Sequence, residues 1–123
     1  MSGGSVLIAG FATGQVSSFL LHDRNLSPIS EVYLGSPVRC LVVDDDCVIA
    51  GCADGGLRVI PLEKRAFFDS KPKWCKSVNE KSATGVSSLS VSSFYNSSGE
   101  KRRFCATGAD DGTVVLYEMS LSL

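Results

Sequence analysis

The sequence predicts an all-β protein built from repeated antiparallel hairpins. Three observations carry that reading. Segments 6–19, 47–60 and 104–117 align without gaps, with glycines at the same two places in each. The two later segments follow a shared strand-like pattern. No stretch of the chain shows helical periodicity.

The hairpins come first. Each aligned segment opens with an apolar run, Val6 to Ala9, Cys47 to Ala50 or Phe104 to Ala106. A glycine follows at Gly10, Gly51 or Gly108, and a second comes four residues later at Gly14, Gly55 or Gly112. A large apolar or aromatic residue stands five further on, at Phe19, Ile60 or Tyr117. Glycine at a fixed place between two apolar runs marks a tight turn, because without a Cβ it adopts positive φ freely. Asp54, Asp110 and Asp111 strengthen the signal, since their short side chains bond to nearby backbone. All six glycines are therefore read as structural turn residues.

A further strand precedes each of the later hairpins. Val38-Arg-Cys-Leu41-Val-Val43 and Val86-Ser-Ser-Leu89-Ser-Val91 share the pattern Val-x-x-Leu-x-Val. Val38 lies 13 residues before Gly51, whereas Val86 lies 22 before Gly108. The nine extra residues fall in the polar stretch 96–103, read as an exposed hairpin loop ending in Lys101, Arg102 and Arg103. The glycine periods are 41 and 57 residues, and the difference sits in loops, as a strand repeat requires. Ile29 to Leu34 alternates as a half-exposed strand before Gly35-Ser36-Pro37, and its weaker counterpart falls within Trp74 to Val78. His22 to Asn25 reads as a polar linker, and Leu62 to Lys73 as a loop.

In period, strand count and turn glycines, these units resemble the WD-repeat family of β-propellers. Ala50-Gly-Cys-Ala-Asp-Gly-Gly-Leu-Arg-Val-Ile60 and Ala106-Thr-Gly-Ala-Asp-Asp-Gly-Thr-Val-Val-Leu-Tyr-Glu118 carry the resemblance, which covers most of the chain. The repeats are degenerate. Where the family closes its third strand with Trp-Asp, this chain has Phe19-Leu20, Ile60-Pro61 and Tyr117-Glu118. The Gly-His usual before the first strand is missing, with Gly35-Ser36 and Thr84-Gly85 nearby.

The resemblance implies antiparallel four-stranded blades. The ten strands then make about two and a half blades of a single partial propeller domain, residues 1–123, with repeat units at about 5–21, 29–62 and 74–119. A seven-bladed ring at 40 residues per blade needs about 280 residues. An open arc leaves apolar blade faces and unpaired strand edges bare. The expectation is a fragment, or a chain whose propeller is completed by another copy or another subunit. A closed sandwich or barrel of eight to ten strands is the alternative.

Composition narrows the function classes. Of 123 residues, 44% are hydrophobic and 20% charged, a balance that supports a packed core. The net charge of −1 provides no field to draw the molecule onto nucleic acid. Apolar runs such as Cys47 to Ala50 are far shorter than the roughly 18 residues of a membrane span. Met1 to Ser5 carries no Lys or Arg, unlike the start of a secretion signal. Cys40, Cys47, Cys52, Cys75 and Cys105 are spaced by 7, 5, 23 and 30 residues, so no Cys-x-x-Cys begins a zinc site. They are read as reduced thiols of a cytoplasmic or nuclear protein, several of them buried.

Candidates for chemistry are few. His22, the single histidine, has no Cys or Ser partner at triad spacing and reads as solvated. Asp44-Asp45-Asp46 lacks the spaced ligands and terminal Glu of a calcium loop, and reads as a hairpin tip. Gly10-x-x-x-Gly14 lacks the Lys-Ser/Thr of a phosphate loop, and Gly-x-Ser-x-Gly is absent. No catalytic residue, cofactor or metal site is expected, so the chain is read as no enzyme. The partner-binding candidates are Trp74 and Lys76, in Lys71-Pro-Lys-Trp-Cys-Lys76, with Lys101, Arg102 and Arg103. Trp and Arg suit a protein interface, and an aromatic among cations also suits a phosphate backbone. The leading expectation is a non-catalytic scaffold or adaptor binding other proteins. A nucleic-acid-associated subunit using the same basic loops ranks below it.

Overall fold

A computed structural model describes residues 5–44, 47–63, 67–68, 73–74 and 84–119. Among these residues the chain forms eleven strands and no helix. They are β1 (Ser5–Gly10), β2 (Gln15–His22), β3 (Asn25–Tyr33), β4 (Val38–Val43), β5 (Cys47–Cys52), β6 (Leu57–Glu63), β7 (Phe67–Phe68), β8 (Lys73–Trp74), β9 (Val86–Tyr95), β10 (Lys101–Ala109) and β11 (Val114–Met119).

The strands make three antiparallel sheets, ordered β1-β2-β3, β4-β5-β6-β7 with β8 also on β6, and β9-β10-β11. None closes on itself, so the sealed barrel is not the architecture. Four-stranded blades are not what forms either. The outer sheets have three strands each, and the middle sheet has three long strands plus two two-residue pairings along β6. Leu62 and Glu63 pair with Phe68 and Phe67, while Arg58 and Val59 pair with Trp74 and Lys73. The stretch read as a loop therefore contributes edge strands. The rest of the expected strand from Trp74 to Val78 lies outside the described residues.

A turn without glycine explains how β3 joins the first sheet. Asp23 and Arg24 adopt φ of 49° and 67°, the two successive positive values of a type I′ hairpin. His22 then faces Asn25 in register, and the supposed linker is a two-residue turn. Pro28 sits opposite Phe19 on the edge strand, beside a register shift.

The paired glycines do two different jobs. Gly14, Gly55 and Gly112 have φ of 93°, 87° and 85° and make the turns. Gly10, Gly51 and Gly108 lie in strands, and at the first two a neighbouring sheet approaches closely. A Cβ at Gly51 would stand 2.6 Å from both Cys40 Sγ and Val86 Cγ1.

Alternation along these strands builds two cores. Val16, Val32 and Leu34 of the first sheet and its connector pack against Val48, Ala50, Cys52 and Ile60 of the second. On the opposite face of the second sheet, Cys47, Ile49, Leu57 and Val59 meet Val86, Cys105, Val115 and Tyr117 of the third. The central strand β5 is thus covered on both faces, and all six of its residues are buried. This explains its unbroken apolar sequence.

Candidate functional site

The glycine turns at 11–14, 53–56 and 110–113 gather along one rim with the sheet connectors. Val38 and Gly14 both donate backbone N–H to Phe11 O, at 3.0 Å each. Leu34 N–H donates to Gly14 O at 2.8 Å, and Ala53 N–H to Pro37 O at 2.9 Å. Asp54 N–H reaches Ser36 Oγ at 3.1 Å, which ties the middle turn to the first connector. Asp110 N–H donates to Gly85 O at 3.1 Å, and Asp111 N–H to Thr84 Oγ1 at 3.2 Å. Arg39 Nη1 lies 2.5 Å from Asp110 Oδ2 and joins the second sheet to the third. The aspartates noted in the sequence therefore serve as clamps. Asp54 also pairs with Arg58 Nη2 at 2.8 Å. Phe11, 39% exposed, stands on this pinned rim.

The basic cluster does not form an exposed loop. The connecting turn is 96–100, where Asn96 Oδ1 accepts from the N–H of Ser98 and of Glu100. Lys101, Arg102 and Arg103 belong to β10. Arg103 is wholly buried, with Nε 2.9 Å from Asp44 Oδ2 and Nη1 donating to Cys47 Sγ at 3.2 Å. Ser93 Oγ donates to the same Asp44 oxygen at 3.2 Å. Arg102 pairs with Glu118 and, at 3.8 Å, with Glu100. Alternation explains the difference, because successive strand residues face opposite sides. Trp74 lies in β8 opposite Arg58, and Lys76 lies outside the described residues. Among the described residues, Arg102 and Arg103 therefore lie on opposite faces of β10 and do not share one patch.

Two sheet faces stay open. On the first sheet, the side away from the second carries Leu7 (42% exposed), Phe19 and Tyr33. A shallow cavity of about 420 Å³ lies there, lined by Gln15, Ser17, Phe19, Pro28, Ile29, Ser30 and Glu31. On the third sheet, the side away from the second carries Ala106, Val114 (70% exposed) and Leu116. Phe94 and Phe104 stack on that side with ring centroids 5.8 Å apart. These residues were missed as surface candidates, although the repeat alignment already held the signal. Val114 aligns with Val16 and Leu57, and Leu7 aligns with Val48 and Cys105, all of them buried.

Cys40, Cys47, Cys52 and Cys105 are thiols that take part in no disulfide. Burial pushes Cys105 up to about 11, with the nearby Cys40 adding to the shift. Such a group is a poor nucleophile at neutral pH. Among the described residues, no three His, Cys, Asp or Glu side chains are placed to hold a metal ion. No described helix is long and apolar enough to cross a membrane.

No protein-family model and no curated protein matches the chain. Two solved structures are similar in fold. The crystal structure of Saccharomyces cerevisiae Sqt1 aligns with a TM-score of 0.74 at 19% identity, over 94% of this chain and 28% of that one. The computationally designed Ika4 protein aligns with a TM-score of 0.62 at 16% identity, over 98% of this chain and 64% of that one. The chain thus spans about a quarter of Sqt1, a WD-repeat propeller, and under two thirds of Ika4. With its three open sheets, it has the fold of part of a WD-like propeller.

Proposed function

We propose that the chain is a non-catalytic scaffold that binds other proteins through its turn rim. The observation that carries the reading is the cross-sheet pinning of that rim, from Phe11 O to Val38 N–H and from Asp110 to Arg39. A surface held in place before binding loses little conformational entropy on contact. Phe11 supplies an apolar anchor with Asp110 and Asp111 on the same rim, a composition suited to a partner with apolar and basic side chains. These four thiols, in no disulfide, support a reducing compartment, the cytoplasm or nucleus. The ion pairs of Arg102 and Arg103 count against nucleic acid, because those cations already face carboxylates.

The test is to identify proteins cross-linked to the full chain and to titrate each purified partner against wild type and Phe11→Ser. A partner whose affinity falls less than about tenfold between about 50 and 200 mM salt, and drops tenfold or more in Phe11→Ser, supports the reading. A roughly 10³-fold loss of affinity between about 50 and 200 mM salt marks phosphate contacts and overturns it.

A further inference from the structure

The geometry points to a second copy of this chain as the occupant of both open faces, with the third sheet of one copy docked head-to-tail on the first sheet of the other. The argument is equivalence of position. Each aligned unit has one face turned toward the next sheet and one toward the preceding sheet. Val16 and Leu57 lie on forward faces and are 0% and 1% exposed, whereas their equivalent Val114 is 70% exposed. Val59 is 4% exposed, and its equivalent Leu116 is 41%. On backward faces, Val48 and Cys105 are both 0% exposed, while Leu7 is 42%.

A forward face packs on a backward face twice inside the molecule. Val16 meets Val48 in one core, and Leu57 meets Cys105 in the other. Placing Val114 of one copy near Leu7 of another would make the same kind of contact a third time. The two surfaces also differ in grain. Ser88, Ser90, Ser92, Ala106 and Gly108 give much of the forward face a low relief, while Leu7, Phe19 and Tyr33 stand out from the backward one.

The contact is heterologous, so it either closes a ring or runs on as a filament. The described residues of two copies supply six sheets, within the roughly 4 to 8 blades of closed propellers. The inference deepens the protein-binding reading by naming one partner, and it uses surfaces other than the rim.

Light scattering on the full chain tests it, with Leu7→Glu, Val114→Lys and their equimolar mixture. Wild type is expected at twice the chain mass, and each variant alone at the chain mass with its strand circular dichroism kept. Mixing restores the doubled mass, because the pair brings one unaltered interface and one where Glu meets Lys. If either charge variant loses its strand signal, Leu7→Ser and Leu116→Ser carry the same comparison. A wild type at the chain mass over the accessible concentration range overturns the inference. So does association that survives Val114→Lys, or variants that stay apart when mixed. Rim binding lost in Phe11→Ser is read separately, so failure here leaves the scaffold reading standing or falling by itself.

Discussion

The ion pair between Arg103 and Asp44 allows a demanding test of how the second and third sheets are held together. Arg103 is 0% exposed, whereas the Asp44 side chain keeps 20% exposure. A buried guanidinium has lost several kcal/mol of hydration, which its partner carboxylate repays. Asp44→Ala leaves that charge uncompensated, and breaking a buried pair this way costs about 3 to 5 kcal/mol. The lower end applies, about 3 kcal/mol, because the partial exposure of Asp44 admits water to the site. Arg103→Met leaves only a carboxylate that can rehydrate, at a cost of about 1 kcal/mol. The double variant removes both charges and should lie close to Arg103→Met. The cycle then gives a coupling of about 3 kcal/mol.

Urea unfolding followed by circular dichroism measures this. With a slope of about 2 kcal/mol per M, Asp44→Ala moves the midpoint down by about 1.5 M. Asp44→Ala within about 0.5 kcal/mol of wild type, the scale of an ordinary surface substitution, would refute the reasoning. A double variant less stable than Asp44→Ala would refute it too.

Three further outcomes are expected. Gly51→Ala drives a Cβ to within 2.6 Å of Cys40 Sγ and Val86 Cγ1, and overpacking of this kind costs up to about 3 kcal/mol. Gly112→Ala meets only open space but is strained at φ +85°, a cost of about 1 kcal/mol; equal midpoint shifts would deny that the paired glycines do different jobs. Cys105 has its pKa raised from the ordinary 9.0 to about 11, so its contribution is complete below pH 9 and is lost as pH rises toward 11. Cys105→Ala should flatten that decline, and iodoacetamide should label the native thiol far more slowly than the unfolded one. The Asp111 carboxyl is held below its ordinary range by hydrogen bonds, first from the Thr113 side chain and then from its backbone N–H. Its contribution is present above the unfolded value and fades as acid passes the lowered folded one, so Asp111→Ala should reduce the acid-side slope of stability against pH.

Local chemistry was legible in the sequence, and pairing over distance was not. The three turns announced themselves through Gly14, Gly55 and Gly112, where positive φ demands a residue without a Cβ. The turn at Asp23 and Arg24 has the same backbone requirement but no glycine, so it passed for a linker. The strand pair at Phe67–Phe68 is too short for any alternation to show. Arg103 looked like the end of a basic loop because the carboxylate that buries it stands 59 residues earlier. Pattern alone cannot supply that partner. The rim was half visible, since Asp54, Asp110 and Asp111 marked turns, but their grip on neighbouring connectors depends on how the sheets stack.

That stacking also explains why the repeats could drift so far from the family pattern. At the rim the second sheet is coupled to the first by the backbone N–H of Val38, which any residue but proline provides, and to the third by the Arg39–Asp110 pair. Inside, the coupling is an apolar face whose members vary freely in kind: Val16, Leu57 and Val114 on one side, Val48 and Cys105 on the other. Neither link needs a Trp-Asp or a Gly-His. What it needs is glycine at the turns and close approaches, and alternation in the strands, and those features persist. In such an array stability is roughly a sum over units and neighbouring interfaces. The middle sheet holds two interfaces, and each end sheet holds one. The apolar side chains left bare at Leu7 and Val114 are therefore the mark of interfaces the repeat is built to make, present at both ends of the arc with opposite hands.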